Sequence, residues 1–92
     1  MIPTPFDTLD DTADLDPTLT DTAREFLRTW DGWQYGISPS GAAASAYYAA
    51  AVYRFEDHEH LHQATVADLF GTSGVTIRTH YPDVLDAQAV DA

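Results

Sequence analysis

The densest set of potential ligand atoms in the chain is Asp57, His58, Glu59, His60 and His62. His58, His60 and His62 alternate, so in an extended loop their imidazoles fall on one side, where they could chelate zinc, nickel or copper. The competing and preferred reading is a solvated loop between helices, whose histidines would act as a tag-like chelator rather than as a functional metal site. No cofactor is expected. Catalysis finds no support either. No Ser-His-Asp order, acid–base carboxylate pair or phosphate-cradling glycine loop stands in a context that would make it chemical, so an enzyme is not expected.

A second kind of chemistry is suggested by QATVADLFGTSGVTIRTHY, residues 63–81. Two short helices joined through a glycine turn have helix-turn-helix spacing. Val66, Leu69 and Phe70 are expected to face inward from the first. Gly71 permits a left-handed turn, and Ser73 can cap a second helix over 74–80. In such a unit the N-terminal residues of the second helix meet base edges in the major groove. Arg78 has two readings, a contact to base or phosphate and an ion pair with Asp68 or Asp83.

The elements that would position this unit are centred on Ile37–Phe55, ISPSGAAASAYYAAAVYRF. Ser38 suits the cap and Pro39 the first helical position, where its missing N–H has no partner to lose. From Ala42 to Val52 there is no clear polar face to give to water, so the helix belongs in the middle of a bundle. About 17 residues at 1.5 Å each give roughly 25 Å, the width of a small domain. Before it, a helix from Thr18 or Thr20 to Asp31 places Leu19, Ala23, Phe26, Leu27 and Trp30 on one face. Thr18 and Asp21 resemble a capping box, and Gly32 is a natural stop. Trp33 and Tyr35 are expected to close the core together with Trp30. Arg24 and Arg28, with Glu25 and Asp31 nearby, read as a solvated helix face. Residues 1–16 read as a disordered acidic arm, the alternative being an arm that lays Phe6 and Leu9 on the bundle. Pro82 is expected to break or kink the last helix, and residues 88–92 to fray. The domain then spans 17–87, with the helix-turn-helix at 62–81.

Composition limits the partners. Ninety-two residues make one small domain, and the absence of cysteine excludes disulfides. Fifteen acidic residues face four arginines, with no lysine and a net charge of −11. Such a surface repels nucleic acid and anionic membranes. At molar salt the screening length falls to about 3 Å, and the same surface then reads as adaptation to a saline, halophilic cytoplasm. Between His62 and Tyr81 the only acid is Asp68, so the near-neutral patch coincides with the helix-turn-helix. The N-terminus lacks the basic start and apolar core of a signal peptide, no apolar run is long enough to span a bilayer, and a cytoplasmic location is expected.

SPSGAAASAYYAAA followed by HQATVADLFGTSGVTIRTHY resembles the second cyclin-like repeat of archaeal transcription factor B and eukaryotic TFIIB. Ser38 and Pro39 match the opening of that repeat's Ala-rich helix, and Tyr48 and Ala50 its Tyr-x-Ala. Gln63 and Gly71 match the helix and turn that follow. Val75, Thr76, Ile77, Arg78 and Tyr81 match the last helix. The resemblance covers about 45 residues, half the chain. It implies an all-α, cyclin-like bundle of about four helices with a C-terminal helix-turn-helix, and a transcription-related DNA-binding function. In the family this helix reads a promoter element beside the TATA box. Carried over, Val75 would touch base edges or a thymine methyl, and Arg78 would take a guanine O6/N7 pair. Thr72, Ser73, Thr76 and Thr79 would bind phosphates, aided by the helix N-terminus. Promoter DNA, bound weakly by the isolated domain, and TATA-binding protein or other transcription machinery are the implied partners. The alternative is an interaction module that regulates that machinery without reading DNA. His62 departs from the family's usual Thr, and Pro82 from its uninterrupted last helix. The family repeat has five helices and this sequence supplies four. A second copy of the chain, in a homodimer, or the N-terminal arm could cover the side left open.

Overall fold

The computed structural model describes residues 4–12, 14–55 and 63–90. Those residues are all-helical: α1 (Pro5–Asp11), α2 (Pro17–Thr29), a 3-10 turn (Asp31–Gln34), α3 (Pro39–Phe55), α4 (Gln63–Phe70) and α5 (Gly74–Val90). The fold is a small all-α bundle of five helices.

α3 is the hub. It packs against each of the other four α-helices. Ser38 caps it: its Oγ accepts from the Gly41 N–H at 3.1 Å and its carbonyl from the Ala42 N–H at 2.9 Å. Residues 41–51 are buried on every side of the helix, as expected of a helix with no polar face. Ser45 is fully buried and tolerated there because its hydroxyl donates to the Gly41 carbonyl at 2.7 Å. The small residues let neighbours come close. A Cβ added to Gly41 would meet the Thr76 methyl of α5 at 2.9 Å. The rings fill what alanine leaves empty: Tyr47 meets Phe70 of α4, and Tyr48 meets Tyr81 of α5 edge-on at 4.9 Å.

Several elements differ from expectation. The arm expected to be disordered over 1–16 holds helix α1 at Pro5–Asp11. Thr4 and Asp7 form a reciprocal capping box at its start, Leu9 is 2% exposed, and Phe6 meets Trp33 edge-on at 5.9 Å. Two prolines and a high aspartate content suggested disorder. One proline instead occupies a first-turn position, and two apolar side chains find a surface. With α1 in place the bundle has five helices rather than the expected four.

The second helix begins at Pro17, not Thr18 or Thr20, and its cap is Asp16, whose carboxylate accepts from the Thr18 N–H at 2.8 Å. It ends at Thr29 through an extended Trp30, before Gly32 is reached. Leu19, Ala23, Phe26, Leu27 and Trp30 are buried as the spacing predicts. Trp33 is half-buried and donates its indole N–H to the Leu27 carbonyl at 3.2 Å, whereas Tyr35 is 77% exposed and does not close the core. On α4, Val66 and Phe70 face inward, but Ala67 takes the third buried position and Leu69 is exposed.

Pro82 does not end the last helix, which runs from Gly74 to Val90. The lost backbone bond is outweighed by what lies beyond it. Val84 is fully buried, and the Gln88 side-chain amide donates to the Phe26 carbonyl at 3.2 Å and the Val84 carbonyl at 3.0 Å. The helix continues to Val90, and the end of the tail expected to fray, residues 91–92, lies outside the described residues. No helix among the described residues is long and apolar enough to cross a membrane.

Candidate functional site

The candidate site is built on the junction of α4 and α5. Gly71 has φ +70, and the Thr72 N–H bonds back to the Ala67 carbonyl at 2.9 Å. This is the left-handed helix ending that reuses a terminal carbonyl and turns the chain. A side chain at this φ would be strained. Ser73 then caps α5, its Oγ accepting from the Thr76 N–H at 3.2 Å. Four residues after Gly71, Val75 stands on the first turn of α5.

The two faces of α5 divide sharply. Ile77 and Val84 are fully buried against the bundle, while Val75 is 62% exposed and Arg78 and Thr79 are exposed. Val75 on the first turn and Arg78 on the second are three residues apart and so stand side by side on the exposed face of α5. Arg78 donates its Nε–H to Gln63 Oε1 at 3.4 Å, across the turn. This is a long contact that orients the guanidinium loosely and leaves its terminal nitrogens for another acceptor. Neither Asp68 nor Asp83 pairs with Arg78, and the two ion pairs formed among the described residues lie elsewhere.

The hydroxyls are partly committed already. Thr79 Oγ1 donates to the Val75 carbonyl at 2.8 Å, so it offers an acceptor rather than a donor. Ser73 Oγ and Thr76 Oγ1 lie 3.0 Å apart and share one proton, leaving one hydroxyl proton between them. The Thr76 methyl is wedged against Gly41, so Thr76 also serves the packing of α5 on α3. Thr72 is half-buried and its hydroxyl makes no hydrogen bond among the described residues. The structure therefore brings Thr72, Ser73, Val75, Thr76, Arg78 and Thr79 together on one turn and one helix start. Its first backbone N–H groups, those of Gly74 and Val75, are without intrahelical partners by construction.

His58, His60 and His62 lie outside the described residues. Among the described residues no group of three or more His, Cys, Asp or Glu side chains could hold a metal ion. Exposure and the Gln63 contact are features that spacing alone did not reveal. Gln63 was legible only as part of a pattern, with no physical role attached to it.

No family model matches the chain, and no solved structure gives a significant match. Among curated proteins, transcription initiation factor IIB 6 of Halobacterium salinarum is 43% identical over 68 residues, a match covering 72% of this chain and 20% of that relative. The chain thus spans about a fifth of the relative's length. Over most of its own length it is similar to part of a transcription initiation factor of the TFIIB kind.

Proposed function

We propose that this protein has a transcription-related role and binds promoter DNA through α4, the Gly71 turn and the N-terminal turns of α5, in the manner of the second cyclin-like repeat of transcription factor B. In this reading the exposed Val75 and Arg78 meet base edges in the major groove. Thr72 and the Ser73–Thr76 pair, with the free N–H groups of the helix start, hold the phosphates on either side. The observation that carries it is the exposure of Val75 beside an Arg78 that has no carboxylate partner among the described residues, on a chain similar to a transcription initiation factor.

Affinity is the weak point of the arrangement. Non-specific binding to duplex DNA comes mostly from cations neutralising phosphates, and Arg78 is the one arginine on this face. The isolated domain binds weakly in this reading and gains affinity from a protein already on the promoter, such as TATA-binding protein. A second reading, an interaction module that docks on the transcription machinery without reading bases, is favoured by the exposed Leu69 and Val75 side chains. A DNA titration in molar KCl comparing the parent with Arg78→Ala separates the two. Loss of sequence preference in the variant supports base reading. Identical binding by both proteins removes Arg78 from its role, and binding by neither leaves the interaction module.

A further inference from the structure

Three of the four arginines line one cleft. It is an open-sided groove of about 370 Å³ between α2 and the C-terminal turn of α3, lined by Asp21, Thr22, Arg24, Glu25, Arg28 and Arg54. In a lysine-free chain with a net charge of −11, most of the cationic side chains meet at one place. Like charges repel in such a cluster, and the carboxylates of Asp21, Glu25 and Asp10 offset that repulsion within the cleft.

The arginines are not equivalent. Arg54 donates its Nε–H to Thr22 Oγ1 at 2.8 Å. Thr22 is itself buried, and its hydroxyl proton goes to the Thr18 carbonyl at 3.0 Å. The guanidinium is thereby fixed on one edge, and its terminal nitrogens have no partner among the described residues. Arg28 pairs with Glu25 three residues away, both side chains more than 60% exposed. Arg24 pairs with Asp10 of α1. Exposed pairs of this kind are easily exchanged.

We infer that this cleft binds a phosphate-type oxyanion, held by the fixed fork of Arg54 and by Arg28 released from Glu25. Three guanidiniums face the carboxylates of Asp21 and Glu25 in the lining and that of Asp10 on Arg24, so one net positive charge appears only when Glu25 swings away from Arg28. A single carboxylate arriving there would only replace Glu25 with its like. A phosphate dianion carries more charge and three or more acceptor oxygens, so it can bridge two guanidinium forks at once. The cleft is separate from the face that carries Arg78. α5 meets α3 at Gly41, and Arg54 stands 13 residues further along α3, roughly 20 Å away at 1.5 Å per residue. The inference holds whether or not α5 reads DNA.

The test is an NMR titration that follows the arginine Nε–Hε signals while inorganic phosphate is added, at the lowest KCl concentration that keeps the protein folded. Acetate at equal ionic strength is the control. Saturable shifts at Arg54 and Arg28 with phosphate, and weak linear ones with acetate, are expected. Arg54→Gln should weaken phosphate binding by about tenfold, as expected for losing one charge-assisted fork, and Arg78→Ala should leave it unchanged. Because Arg54 is tied to Thr22, its variant is checked for an intact amide spectrum. The exposed Arg28→Gln, which keeps the Thr22 tie, should also weaken binding severalfold. Equal shifts with acetate, or undiminished phosphate binding in both variants, would overturn the inference. Duplex DNA of unrelated sequence added to the phosphate complex then identifies the source. Competition at Arg54 places the oxyanion on a nucleic-acid backbone, and its absence on a small phosphorylated molecule.

Discussion

The Tyr47 hydroxyl accepts a hydrogen bond from the backbone N–H of Asp16 at 3.0 Å, and so ties the middle of α3 to the start of α2. Asp16 is also the residue whose carboxylate caps α2, and Asp14 just before it adopts φ +66. One buried phenol thus fixes the turn that delivers α1 to the bundle. Tyr47→Phe leaves the Asp16 N–H without its partner and should cost about 0.5–1.5 kcal/mol, read as a lower denaturant midpoint with an unchanged slope.

The same contact makes an alkaline prediction. Burial is the largest influence on Tyr47 and raises its pKa above the ordinary 10.0. The Asp16 N–H works against that rise, and the Asp16 charge adds to it. The neutral phenol is therefore the form the fold retains. Its contribution is fully present below pH 10 and is lost as pH rises through the higher folded value. Stability measured across that range should fall more steeply in the parent than in Tyr47→Phe. Parallel curves would show that Tyr47 does not carry the effect.

Gly41 sets the distance between α3 and α5. Replacing it with alanine gains about 1 kcal/mol of helix propensity. The new Cβ, however, would stand 2.9 Å from the Thr76 methyl, 3.1 Å from Ser38 Oγ and 3.3 Å from Ile37 Cγ1. Overpacking typically costs about 1–3 kcal/mol, so Gly41→Ala should be destabilising by about 1 kcal/mol net. Thr76→Ser removes the methyl and keeps the hydroxyl bonded to Ser73. The double variant should therefore recover much of the loss, as a double-mutant cycle would measure.

Leu9 tests whether α1 belongs to the cooperative unit. It is 2% exposed and part of the continuous core, and Asp10 beside it pairs with Arg24 of α2. Leu9→Ala should cost about 2–4 kcal/mol, and the whole protein should unfold at a lower midpoint. If only the signals of residues 4–12 changed, α1 would be a detachable appendage.

How far these features could be read from the sequence varies by element. The alanine-tyrosine helix was legible because nothing on it is polar enough for solvent, and Tyr48 and Ala50 are buried as that implies. Ser38, Ser73 and Gly71 act through local geometry, so their roles as caps and turn followed from residue type alone. α1 was harder to see because seven residues with three aspartates carry almost no periodic signal. What holds them is a capping box and two side chains whose partner surface exists only in the folded bundle. Leu69 and Tyr35 were misplaced for the converse reason, since apolar character does not say whether a surface is there to receive it. The convergence of Arg24, Arg28 and Arg54 was invisible, because Arg54 lies on a different helix and its tie to Thr22 spans 32 positions.

Pro82 marks where local preference and packing disagree. It is exposed and interrupts the ladder of α5 without ending the helix. Pro82→Ala restores an N–H to bond the Arg78 carbonyl and removes a ring clash worth about 3 kcal/mol in a helix interior, while the freer unfolded chain returns about 0.4–1 kcal/mol. A net gain of about 2 kcal/mol in denaturant unfolding is expected.

Gln63 is the sharper probe of the proposed interface, because it touches Arg78 without lying on α5. Its Oε1 accepts the Arg78 Nε–H, and this contact restricts where the guanidinium can point. If Arg78 takes a guanine edge, worth about 1–3 kcal/mol of discrimination, Gln63→Ala should lower sequence preference by a smaller amount, with little change in binding to an unrelated duplex. Arg78→Lys should lose most of the preference, because an ammonium cannot reproduce the bidentate fork. Competition between two duplexes that differ at one base pair measures both effects. A Gln63→Ala protein that weakens on all duplexes alike would mean that Gln63 supports the helix start of α4 and not the reading of bases.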